Sequence, residues 1–107
     1  MYGWIADYLS PSIMLDPPFS CAARGDRTVK NASQICAAGL DAAIGRARAA
    51  APGDAPAAWG AVDRQVIDRA AAVPYVSSRL PVYVSQRVGN VTYHPTYSSL
   101  LDQMWVR

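Results

Sequence analysis

Between Leu40 and Val66 apolar side chains fall at helical intervals twice over, with Pro52-Gly53 between the two runs, and no other stretch limits the fold so tightly. Leu40, Ala43, Ile44 and Ala47 recur at i, i+3, i+4 and i+7, which puts them on one face of a helix running to about Ala51. Pro52-Gly53 ends it. A second helix is expected from about Asp54, with Asp54 or Gly53 as cap. Its buried stripe is Trp59, Val62, Val66 and Ala70, with Arg64, Asp68 and Arg69 mostly off it. Two helices joined by so short a turn are expected to pack as an antiparallel pair. The chain has 107 residues, enough for one core, and Ala supplies much of its 51% hydrophobic content. Few large side chains remain to fill that core, so stability is expected to be marginal.

The flanks read differently. Residues 2 to 6, YGWIA, have the aromatic and β-branched side chains of a short buried strand, weakened by Gly3, and Asp7 stands at its C-terminal end. Ser10 then caps a short helix with Pro11 at its first position, and Pro17-Pro18 stops it. Ser20 to Gln34 is polar and reads as an exposed loop. Beyond Ala72 the texture is β: VPYVSS, LPVYVSQRV with alternation through Val82 and Val84, VTYHP, and a last apolar segment, SLLDQMWVR. Gly89-Asn90 is the one tight-turn signal among them, so a sheet built from these segments alone is small, with exposed edges. Taken by itself, a chain with the order strand, short helix, loop, helix pair and extended segments is α+β in class.

Several function classes find no support. Ten Lys+Arg against eight Asp+Glu give a net charge of +2, scattered along the chain, where nucleic-acid binding calls for a clustered basic stripe. No apolar run approaches the roughly 18 residues of a membrane span, and no basic stretch followed by an apolar one marks a secretion signal, so the chain as written reads as cytosolic. Cys21 and Cys36, separated by the polar stretch, pull the other way: they suggest a disulfide, a feature of exported proteins. The single histidine, His94, lies in a Tyr-His-Pro turn without the context of a triad, and glutamate is absent. With no phosphate loop and no Cys/His cluster at ligand spacing, no enzyme activity, metal or cofactor is expected. Asn31-Ala32-Ser33 and Asn90-Val91-Thr92 match the glycosylation pattern by letter only; Trp59 reads as core, and Trp105 as core first and a docking residue second. Asp7, between Trp4 and Tyr8, has two readings. It caps a turn, or it pairs with the cationic group of a ligand in a dry aromatic pocket, where a charge-assisted hydrogen bond counts for more than in water.

GWIADYLSPSIMLDPPFSC, then NASQIC, an Ala-rich helix pair with W-x-x-V-D-R, then VP and QRVGNVTYHPTYSSLLDQMWVR, resemble in this order the C-terminal end of the peptide-type (family 5) extracellular solute-binding proteins of ABC importers, actinobacterial members above all. The likeness runs from Tyr2 to Arg107. It implies an α/β class, the chain being the C-terminal portion of a two-lobed periplasmic-binding-protein type 2 fold, whose helix pair and strands complete sheets formed elsewhere. Residues 1–80 would then belong to the distal lobe and 81–107 to a tail returning to the first. It further implies that Asp7 pairs with a peptide's α-ammonium group, that Trp4 lies by the pocket, and that Cys21 and Cys36 form a disulfide. Closing a loop of that length is worth about 3 kcal/mol in the chain-entropy model.

The resemblance implies capture of peptides or related solutes for delivery to an ABC permease, on the extracellular face of the cell membrane or in the periplasm, with the signal on a missing upstream part. Departures are visible: Ala37-Ala38-Gly39 replaces an Asp-Pro-Glu type of helix start, leaving that helix without its cap, and Ile13-Met14, Pro17-Pro18 and Leu9 also differ from the family's habit. The alternative is a stand-alone disulfide-stapled α+β module that uses an exposed sheet edge to bind a partner, with no transport role.

Overall fold

The structure, a computed structural model, describes residues 4–25, 31–77, 79 and 81–107. Among these residues there are three α-helices, α1 (Ser12–Leu15), α2 (Ala38–Ala49) and α3 (Ala55–Asp68). Four two-residue strands follow: β1 (Val88–Gly89), β2 (Tyr93–His94), β3 (Ser98–Ser99) and β4 (Trp105–Val106). The chain forms two compact units, Met1–Pro74 with the helices and Tyr75–Arg107 with the strands. No helix of the described residues is long and apolar enough to cross a membrane.

The core of the first unit is the expected helix pair. Leu40, Ala43, Ile44 and Ala47 of α2 and Trp59, Val62 and Val66 of α3 are buried in one cluster, edged by Leu15, Phe19, Ile35 and Ala72. Burying each of the large members contributes about 1.5–3 kcal/mol. Ala43 and Ala47 fill little space, so the indole of Trp59 supplies much of the core's volume. As expected, α2 begins without a side-chain cap, at Ala37. Asp41 in its first turn complements the positive end of the helix, and Arg46 and Arg48 complement the negative end. Pro56 lies in the first turn of α3, where its missing N–H costs nothing.

Ala70 departs from the expected stripe: α3 ends before it and Ala70 is exposed. The chain turns there into the left-handed region, with φ of 50°. The Ala71 N–H donates to the Val66 carbonyl at 3.1 Å and the Ala70 N–H to the Ile67 carbonyl at 2.9 Å, the crossed pair of a Schellman terminus. Ala71 is thereby folded back against the core.

The N-terminal segment corrects a second expectation. Residues 4–6 form no strand and Ile5 is 78% exposed; Tyr2 and Gly3 lie outside the described residues. A strand needs a ladder partner, and the first unit is built of helices. The short helix is present. It starts one residue later than expected, at Ser12, with Pro11 in the cap position and no side-chain cap there; the Ser10 hydroxyl still accepts the Ser12 N–H at 3.3 Å, and the helix ends at Asp16, before Pro17-Pro18. Asp16 is buried and accepts from the Nε and Nη2 of Arg48, tying the end of α1 to the last turn of α2.

The polar stretch from Ser20 to Gln34 is only partly the exposed loop expected of it; Asp26 to Lys30 lie outside the described residues. Ser20 and Ala23 are buried, the latter in a 3-10 turn over Cys21–Ala23, and Asn31 is 1% exposed. The burial is possible because the polar groups find partners within the turn. The Asn31 amide nitrogen donates to the carbonyls of Ser20 (2.9 Å) and Ile35 (2.8 Å), and the Ser33 hydroxyl donates to its oxygen (3.0 Å). The Cys21 N–H donates to Asp41 Oδ1 at 2.8 Å, fastening the turn to α2.

In the second unit β1 pairs antiparallel with β4, Val88 opposite Val106 and Gly89 opposite Trp105, and β2 pairs antiparallel with β3, Tyr93 opposite Ser99. Gly89 is required. A Cβ there would collide with the Trp105 indole, which covers it, and the Arg107 guanidinium lies 5.4 Å above the same ring. Gly89-Asn90 is therefore not the hairpin turn; the turn is Pro95-Thr96-Tyr97, closed by Ser98 at a φ of 62°. The expected strands VPYVSS and the first part of LPVYVSQRV form no strand in their described residues, where Tyr75 and Tyr83 are 86% and 94% exposed. Trp105 is half exposed, not core.

Two substitutions test this account by urea or thermal denaturation. Leu40→Ala is expected to cost about 2–5 kcal/mol, a large share of a small domain's stability. Ala70→Gly, which relieves a left-handed non-glycine residue, is expected to stabilise by up to about 1 kcal/mol.

Candidate functional site

Asp7 and Trp4 lie on the segment that leads into α1. Residues 7–10 bend sharply, with the Ser10 N–H donating to the Tyr8 carbonyl at 2.9 Å and the Tyr8 hydroxyl 3.2 Å from Ser12 Oγ. The bend turns Asp7 outward. Its carboxylate is exposed, and no hydrogen bond or ion pair joins it to another described residue, so the turn-capping role is not taken up. Trp4 is half-buried, whereas Ile5, Tyr8 and Leu9 present their side chains to solvent. Asp7 is thus a solvated acid on a strip of apolar side chains. Alone, such a charge binds a cation weakly, because water screens it and no second wall removes that water.

A separate open groove runs between α1 and α3, lined by Pro11, Met14, Leu15, Pro56, Trp59 and Asp63. Neither Asp7 nor Trp4 lines it. Its walls are apolar apart from the Asp63 carboxylate at the rim, and no converging set of polar groups gives it a reaction to perform.

Cys21 and Cys36 form a disulfide, with Cα atoms 4.5 Å apart. It joins the turn ahead of α2 to the residue preceding the helix's N-terminal flank, and Cys36 is exposed. Asn31 and Asp41 hydrogen-bond to backbone groups next to the cysteines; in the sequence Asn31 stands out only as the first letter of a glycosylation pattern and Asp41 as one of eight unpaired carboxylates. A polar residue in a polar stretch gives no sign of burial, so nothing in the sequence marks Asn31 as an interior group. Asp41 carried only the faint signal of an acid in the first turn of an uncapped helix. No group of three or more His, Cys, Asp or Glu residues among the described residues is placed to hold a metal.

His94 is occupied by its own turn. Its Nδ1 accepts the backbone N–H groups of Thr96 (3.1 Å) and Tyr97 (3.2 Å), so the ring proton belongs on Nε2, and the imidazole stacks on Tyr97 with centroids 4.8 Å apart. Pro95 holds His94 extended, which sets the ring over the turn. The arrangement makes His94 an acceptor for the backbone, in the manner of an Asx turn, and none of its hydrogen bonds or ion pairs among the described residues goes to a carboxylate. His94→Ala is expected to weaken the β2–β3 hairpin by roughly 0.5–1.5 kcal/mol, while His94→Asn, whose Oδ1 offers a similar acceptor, restores most of it. Amide exchange at Thr96 and Tyr97 reads the difference. No family model, curated protein or solved structure matches the chain significantly.

Proposed function

We propose that the chain is the C-terminal portion of a peptide-type solute-binding protein of an ABC importer, which captures peptides or related solutes outside the cell membrane or in the periplasm and hands them to a permease. The observation that carries this reading is the Asp7 carboxylate: exposed, without a partner among the described residues, and flanked by the exposed apolar side chains of Ile5, Tyr8 and Leu9. An acid so placed suits the α-ammonium group of a peptide once an opposing wall closes over the strip and excludes water. The order of motifs from GWIADY to DQMWVR supports it, as does the Cys21–Cys36 disulfide, which suits an oxidising compartment. The exposed apolar residues of the unpaired segments, Val73, Tyr75, Val76 and Tyr83, fit strands whose ladder partners lie in another part of such a protein.

The second reading, a stand-alone interaction module, is favoured by one observation. The first unit has its own buried core and its own disulfide. On that reading the unpaired segments meet a partner chain instead of a second lobe.

The two readings differ at Asp7. In calorimetry with di- and oligopeptides the chain alone is expected to show no binding tighter than about 1 mM, since one solvated ion pair contributes at most about 1 kcal/mol. In NMR titrations with millimolar peptide, the Asp7 and Tyr8 amides are expected to shift with free α-amino groups and not with N-acetylated peptides, and Asp7→Asn is expected to abolish the response. Equal shifts with acetylated peptides, or a response that survives Asp7→Asn, count against the solute-binding reading.

A further inference from the structure

The two carbonyls that accept from the Asn31 carboxamide, Ser20 and Ile35, belong to the residues immediately before Cys21 and Cys36. One side chain therefore spans the two segments that bear the cysteines, using both of its amide hydrogens, while its oxygen is held by Ser33 and its own backbone carbonyl accepts from the Gln34 N–H (3.1 Å) and Nε2 (2.6 Å). The Gln34 Oε1 accepts the Gly25 N–H at 3.1 Å, a second tie across the same turn. Asn31 is buried, so water does not compete for these bonds, and losing the side chain leaves two carbonyls with fewer partners. None of these contacts involves sulfur.

We propose that Asn31 is the positioning residue for the Cys21–Cys36 disulfide: its buried carboxamide clamps the two cysteine-bearing segments, so that the sulfur–sulfur bond closes on a turn already formed. The chemistry is thiol–disulfide exchange with a small disulfide such as oxidised glutathione. The thiolate of one cysteine attacks it, releasing one glutathione thiolate and leaving a mixed disulfide. The thiolate of the other then attacks the protein sulfur, forming the Cys21–Cys36 bond and releasing the second glutathione thiolate. The two protons lost by the cysteines end on the two glutathione thiols. Two electrons pass from the dithiol to the oxidant. Clamping raises the effective concentration of the second thiolate at the mixed disulfide, and so favours the oxidised form at equilibrium.

The test measures the oxidised fraction of the whole chain across glutathione redox buffers by thiol labelling and mass, in native buffer and in concentrated urea. Asn31→Ala is expected to lower the midpoint ratio [GSH]²/[GSSG] at least about tenfold in native buffer, the scale of two buried hydrogen bonds, and to leave it unchanged in urea, where no clamp exists. Val66→Ala, a core variant on α3 that takes part in none of the hydrogen bonds of the turn, separates this effect from general loss of stability and is expected to shift the midpoint much less. A shift below threefold in buffer, a shift that persists in urea, or an equal shift in Val66→Ala overturns the proposal.

Discussion

The contact between α2 and α3 is the constraint on which the first unit depends. Leu40, Ile44, Trp59, Val62 and Val66 are the large side chains removed from water there, and they supply most of the hydrophobic free energy available to it. Everything else in the unit is attached to this pair by a small number of specific bonds. The Schellman terminus at Ala70 and Ala71 sends the chain back toward the core, where Ala71 and Ala72 cover its edge. The short α1 is held by Leu15 against the same cluster and by the ion pair of Asp16 with Arg48. Arg48 is largely exposed, so that pair fixes position more than it adds stability.

The cysteine turn shows how a polar segment is made part of a structure whose core it hardly enters. Asp41 takes the Cys21 N–H, the disulfide closes the turn covalently, and Asn31 satisfies the backbone carbonyls that burial would otherwise strand. Together they also do for α2 what its missing N-cap does not: they fix the direction from which the chain enters the helix. The polar groups are satisfied locally, so the turn adds order with little apolar burial.

The second unit has the opposite character. Its ladders are two residues long, and its best-defined packing is the Trp105 indole on Gly89 with Arg107 above it. Extended residues with high strand propensity, among them Tyr75, Val76 and Tyr83, are left without strand partners and largely in water. Strand propensity is a preference for a half-buried pleated surface, and where no such surface is offered it produces extended chain and no sheet. The same holds for residues 4–6 ahead of Asp7, which is why an acid expected at the end of a strand stands in a solvated bend.

By itself the sequence determined the helix pair, the turn between the two helices, the short helix after Ser10-Pro11 and the C-terminal part of the chain in which extended structure would lie. These features are local: a 3.6-residue apolar period and Pro, Gly and Ser punctuation act over a few residues, wherever the rest of the chain goes. The tertiary structure alone decided that Asn31 is buried, that Asp41 and Asp16 have partners twenty and more residues away, that the hairpin turns at Pro95-Thr96-Tyr97 with His94 as its acceptor, and that Asp7 faces water. Each of these depends on what lies opposite a side chain in space. A polar residue reads the same in sequence whether solvent or a backbone carbonyl meets it, and only the folded neighbourhood makes the difference.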